Sequence, residues 1–189
     1  PRGPLICGGS PRGTLYGCYA LLERLGVRWY TSRVARVPHA PTITLPQTGV
    51  DEVGGPAFEY REPFFTEAFD KDWAARNRVN GASMHLDEST GGKVTYHPFV
   101  HTFDEIIPGS FYAEHPEYFS LLDGKRFAGY GQRCLSNPDV LKLAIDKVRE
   151  WIKTHPEAQI YSVSQNDCGN WCQCEACRAI TEKHGAHSG

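Results

Sequence analysis

Asn166-Asp167 is the pair in this sequence best suited to chemistry, and a run of cysteines follows it directly. Acid-catalysed cleavage of a glycosidic bond needs one carboxylic acid near the bridging oxygen. A second carboxylate sits across the sugar, about 5 to 10 Å away. Asp167 has the chemistry and position of the acid, and burial can raise an acid's pKa so that it carries its proton. A neighbouring amide such as Asn166 can hydrogen-bond a sugar hydroxyl. The plainer reading of the pair is a turn or helix cap, where Asp and Asn are common. Neither Glu62 nor Asp87 is compelling as the second carboxylate. The thiols Cys168, Cys172, Cys174 and Cys177 fall within ten residues, a density that suits a four-thiolate zinc knot. Such sites usually pair two separated C-x2-C knuckles, however, and only one is present. A disulfide in an oxidising compartment is an equal alternative. Either structural role stands ahead of catalysis, since no general base is obvious beside these thiols apart from His184. The expectation is therefore no cofactor and no metal, with zinc or a disulfide at the four cysteines as the alternative.

These residues need elements to position them. Leu15, Tyr19, Leu22 and Leu25 recur at helical spacing, predicting a helix over 11–26 that Gly26 stops. An extended segment, Val27 to Thr31, and a proline-rich stretch over 36–56 follow, so a domain boundary is expected near residue 56. Beyond it, Phe58-Glu59-Tyr60-Arg61 reads as a strand, and Asp70 caps a helix over 71–79. Ala82 to Leu86 reads as a second strand, and Val100 to Ile107 as a third. Glu117 to Phe127 has hairpin character around Asp123-Gly124. The clearest helix spans 138–154, with Pro138 in its first turn, Ser136 or Asn137 as cap, and an apolar face of Val140, Leu141, Ala144, Ile145, Val148 and Ile152. Ile160 to Val163 is the fourth strand, and a helix over 175–184 closes the series. Strands alternating with helices predict an α/β fold with parallel strands, and four of them amount to half of an eight-stranded barrel.

In such barrels functional groups lie at the C-terminal ends of strands. Three predicted ends carry Arg61 and Glu62, His85, and Ser164 to Asp167, and the third strand begins with or leads into His101. Taken singly, Arg61 and Glu62 read as an ion pair and the histidines as core groups. Four polar strand ends together argue for one functional face. Composition agrees with a soluble globular chain: 189 residues, 40% hydrophobic and 22% charged. A net charge of -2 gives no electrostatic ground for a nucleic-acid partner. No apolar run approaches the roughly 20 residues of a membrane span. The chain opens at Pro1 in what reads as a strand already under way and stops just after a helix. It therefore reads as a fragment whose missing barrel half would cover its open strand edges. Seven cysteines cannot all pair within the chain.

Several motifs resemble known families. Arg12-Gly13-Thr14-Leu15-Tyr16-Gly17, Leu21-Leu22-Glu23 and Gly26-Val27-Arg28-Trp29-Tyr30 look like the end of the small α/β domain that precedes the barrel in α-glucuronidases and β-hexosaminidases. Phe58 to Glu62, Ala75-Arg76-Asn77-Arg78 with Asn80-Gly81, His115 to Phe119, Ser162 to Asp167 and Cys172 to Cys177 resemble a bacterial family carrying domain of unknown function 4838. The resemblance implies a glycosidase-like protein. Residues 1–50 would be the end of the small domain, and 57–189 the first half of a (β/α)8 barrel that acts on or binds carbohydrate. Asp167 would be the acid, with Asn166, Arg61, Glu62, His85 and His101 orienting the sugar. In related barrels the pair after strand four is often Asn-Glu or Asp-Glu, so the shorter Asp167 departs from the pattern. A guanidinium fork at Arg61 would match a uronate carboxylate. The leading expectation is a glycoside hydrolase, and the alternative is a non-catalytic glycan-binding protein on the same scaffold. Many members of the family look secreted, which implies an extracellular or periplasmic location.

Overall fold

A computed structural model describes residues 5–45 and 54–186. The chain is mixed α/β and divides into two units, one ending at Val94 and one beginning at Thr95. Residues 46–53, which hold part of the expected linker, lie outside the described residues.

In the first unit, helix α1 (Pro11–Arg24) starts where Ser10 accepts from the backbone N–H of Gly13, and proline occupies its first turn. Gly26, at φ +92°, turns the chain out of the helix. Strands β1 (Arg28–Trp29) and β2 (Ala35–Arg36) then pair antiparallel. Helix α2 (Lys71–Arg76) carries the expected Asp70 cap on Trp73 N–H, and ends earlier than residue 79. Its Ala74 and Ala75 join Ala68, Val79, Met84 and Leu86 in a core on which Leu15 and Tyr19 of α1 pack.

Two expected strands of this unit are irregular, and the reason is physical. Buried Asn80 accepts from Arg61 N–H at 2.8 Å and donates to the Glu59 carbonyl at 2.8 Å. A side-chain amide thus takes the Arg61 N–H and the Glu59 carbonyl, which a neighbouring strand would otherwise have paired. The N–H groups of Ala82 and Ser83 donate instead to the Glu62 carboxylate, at 3.0 and 3.1 Å. At Glu59, Arg61, Ala82 and Ser83, side chains stand where sheet partners would be.

In the second unit β3 (Tyr96–His97) pairs parallel with β6 (Ile160–Tyr161), Tyr96 opposite Ile160 and His97 opposite Tyr161. β3 lies between the second and third expected strands. The expected third strand is interrupted: His101 adopts φ +64°, and Thr102 leads into the short helix α3 (Phe103–Ile106). The hairpin is present as β4 (Leu121–Leu122) and β5 (Lys125–Arg126). Both turn residues, Asp123 and Gly124, have positive φ, as a type I′ turn requires.

Helix α4 (Pro138–Thr154) matches its expected span, with Asn137 accepting from Asp139 N–H. Its buried contacts come from Val140 and Trp151, which pack with Phe103, Ile106, Ile107, Tyr118 and Phe119. Leu141, Ile145 and Ile152 from the expected apolar face are exposed. Helix α5 (Glu175–His184) begins at Cys174 as N-cap. Among the described residues no helix is long and apolar enough to cross a membrane.

Candidate functional site

The second unit brings together three of the residues singled out from sequence. The segments leaving the C-terminal ends of β3 and β6 are laced to each other. Thr102 N–H donates to the Ser164 carbonyl at 3.1 Å, and Ser164 N–H to Thr102 Oγ1 at 3.0 Å. His101 N–H donates to Ser164 Oγ at 2.8 Å, and its ring Nδ1 lies 3.0 Å from the Gln165 carbonyl. A carbonyl only accepts, so Nδ1 carries a hydrogen, and Nε2 of the neutral ring is the acceptor. These bonds hold His101 in the left-handed backbone region that side chains seldom occupy. The exposed imidazole thus sits beside the segment that carries Asn166 and Asp167.

Those two residues divide the work differently from the sequence expectation. Asn166 is 1% exposed, and its Nδ2 donates inward, to Asp104 Oδ1 at 3.0 Å and the Gly131 carbonyl at 2.9 Å. Gln132 grips the same residue through its backbone: Oε1 accepts from Asn166 N–H, and Nε2 donates to the Asn166 carbonyl. Arg133, also buried, donates to the Ile107 and Gly131 carbonyls and to Asp104, with its guanidinium 4.5 Å from the Phe119 ring centre. Asn166 is therefore an anchor for the turn, and only its Oδ1 has no partner among the described residues. Asp167, the next residue, is exposed. Asp104, Gln132 and Arg133 went unread in the sequence, because nothing in their local pattern ties them to a turn 34 residues beyond Gln132 and 62 beyond Asp104.

In the first unit Arg61, Glu62 and His85 have the following surroundings. Arg61 donates through Nε to the Arg78 carbonyl, through one terminal nitrogen to the Phe58 and Glu59 carbonyls, and through the other to Tyr16 Oη. Four of its five N–H donors are engaged, so a carboxylate fork would have to displace existing bonds. The Glu62 carboxylate is held by two consecutive backbone N–H groups. His85 is exposed beside Phe69. Asp87 caps the turn Glu88–Thr90 and pairs with Lys71 at 3.0 Å. Hydrogen bonds from Ser89 and Lys71 lower its pKa to about 2.

The cysteines give the tightest cluster, with one member changed. Cys134, Cys172, Cys174 and Cys177 place their sulfurs within 4.8 Å of one another. Cys168, expected in this group, instead accepts from Gln132 Nε2 at 3.4 Å, and burial raises its pKa. Its place is taken by Cys134, forty residues before Cys174 in the chain. The hydrogen bond with Cys172 lowers the pKa of the Cys134 thiol, and the same contact pushes Cys172 up. Burial raises Cys177; it also acts on Cys174, but hydrogen bonds from Ser136 and Cys177 outweigh it there and lower the pKa. The C-x-C-x2-C run offers three thiolates, and a search for a fourth among the distant cysteines was the signal that could have found Cys134. A cleft of about 550 Å³ borders the cluster at Cys172 and is lined by Asp123, Trp171, Gln173, Arg178 and Glu182. Neither His101 nor Asp167 lines it.

A family model described as Domain of unknown function (DUF4838) matches residues 29–189. No curated protein and no solved structure matches the chain.

Proposed function

The chain belongs to the DUF4838 family, and from that premise we propose that it is part of a carbohydrate-active (β/α)8 barrel, a glycoside hydrolase whose acid is Asp167. One observation carries the reading: the parallel β3–β6 pair sends out two segments hydrogen-bonded to each other, one carrying His101 and the other carrying Asp167 directly after a buried, anchored Asn166. In parallel α/β folds the ligand lies at just these strand ends. Helix α4 lies between β3 and β6 in the chain, as the crossover of a parallel unit must. The Asn166 bonds fix the backbone from which Asp167 projects, which is the support a positioned acid requires. The substrate class would be an oligosaccharide, uronic-acid or hexosamine sugars among the first to try.

A second reading, glycan binding without catalysis, is favoured by a separate observation. The two other carboxylates weighed for catalysis are occupied, Glu62 by backbone N–H groups and Asp87 by Lys71 and Ser89. The experiment is sugar release from a panel of uronic-acid and hexosamine oligosaccharides by the protein and by Asp167→Asn. Release that falls by orders of magnitude in the variant supports the hydrolase. Unchanged release removes Asp167 as the acid. Binding without release from any substrate selects the glycan-binding reading.

A further inference from the structure

We infer that Cys134, Cys172, Cys174 and Cys177 hold one zinc ion as a structural tetrathiolate centre. It would fasten the segment before α4, the stretch leading to α5, and the first turn of α5. This centre is independent of the carbohydrate reading above.

The geometry is that of a single tetrahedral ion. Zinc–thiolate bonds of about 2.3 Å set the sulfurs about 3.8 Å apart, the edge of the tetrahedron. Cys134 Sγ lies 3.7 Å from Cys174 Sγ and 3.9 Å from Cys177 Sγ, and no pair of the four exceeds 4.8 Å. A disulfide would bring two sulfurs to about 2.05 Å. Cys174 and Cys177 stand at the N-cap and third position of the ten-residue helix α5, so both thiolates meet the positive end of its dipole.

The surroundings of the sulfurs fit the same ion. Four thiolates on zinc carry a net charge of about -2, which needs hydrogen-bond donors around it. Leu121 N–H donates to Cys172 Sγ at 3.4 Å, and the Arg126 guanidinium lies 4.0 Å from the same sulfur. Ser136 Oγ is 3.5 Å from Cys174 Sγ and 3.1 Å from Cys177 Sγ. Cys134, Cys172 and Cys177 are buried, and four protein ligands leave no open coordination position, so the role is structural. On binding, each thiol that is still protonated releases its proton to solvent as its zinc–sulfur bond forms, and no electrons move.

The test begins with the protein expressed with zinc in the medium, desalted, and assayed for metals by mass spectrometry. One zinc per chain is expected. Cys168→Ser should keep it. Cys134→Ser should lose it by more than the roughly 10–100-fold affinity loss typical of a neighbouring donor. If Cys134→Ser does not fold, two measurements on the unmutated protein decide. Cobalt in place of zinc should give the visible bands of a tetrahedral thiolate site. Chelation should expose Cys134, Cys172, Cys174 and Cys177 to alkylation while leaving Cys168 labelling unchanged. The inference is overturned by less than stoichiometric zinc with no cobalt bands, by stoichiometric iron instead of zinc, by a disulfide mapped between any two of the four, or by zinc that depends on Cys168 and not Cys134.

Discussion

Replacing Asp104 by alanine tests whether Arg133 is held as the structure describes. The Arg133 side chain is 3% exposed and its Asp104 partner 47%. Breaking a fully buried pair costs about 3–5 kcal/mol, and an exposed one about 0–1 kcal/mol. Asp104 is half in water, which weakens its attraction. The guanidinium also keeps the Ile107 and Gly131 carbonyls and the Phe119 face when the aspartate is gone. These facts place Asp104→Ala between the limits, at about 2 kcal/mol. Asn166 loses one acceptor as well but retains the Gly131 carbonyl. About 2 kcal/mol is roughly a 30-fold shift in the folding equilibrium, or about 4–8 °C in Tm for a chain of this size. Urea unfolding followed by tryptophan fluorescence reads it, since Trp151 lies in the same core as Phe103 and Ile107. The control is Arg149→Ala, which removes a pair whose side chains are 70% and 58% exposed. That change should stay within about 0.5 kcal/mol. Equal small effects for the two variants would refute the buried role of Arg133.

A β-carbon at Gly81 would lie 2.6 Å from Glu62 Cβ and 2.8 Å from its Cδ. Gly81→Ala must therefore push the carboxylate off the Ala82 and Ser83 N–H groups, and about 1–3 kcal/mol of destabilisation is expected; a wild-type Tm would count against the clamp. Asp87 has a native pKa depressed to about 2 by Ser89 and Lys71. The stability it contributes is complete above its unfolded pKa of about 3.9 and fades as pH falls toward 2. Carboxyl NMR should show this low midpoint, and Ser89→Ala should raise it; a midpoint near 4 in the unmutated protein contradicts the hydrogen-bonded cap.

What the sequence disclosed, and what it hid, follows from where each backbone group finds its partner. Helix α4 was legible because its signals are local: Asn137 caps, Pro138 opens, and apolar residues repeat at helical spacing. The hairpin was legible for the same reason, since Asp123-Gly124 supplies both positive φ angles. Segments 58–61 and 82–86 look like strands by composition, yet a strand is defined by its partner. Here side chains from elsewhere, Asn80 and Glu62, do the partnering. The candidate site obeys the same division. Asp167 could be guessed as a strand-end residue, whereas His101 was read at the start of a strand it in fact follows, and the inward turn of Asn166 depends on Asp104, Gly131 and Gln132 arriving from other elements. The thiol cluster is intermediate. Three of its members advertise themselves by spacing, and the fourth is fixed only when the chain from Tyr118 to Cys134 folds back, with Cys134 N–H bonded to the Tyr118 carbonyl. A local motif can therefore announce that a metal ligand is missing, but only the tertiary path of the backbone chooses Cys134 over Cys168.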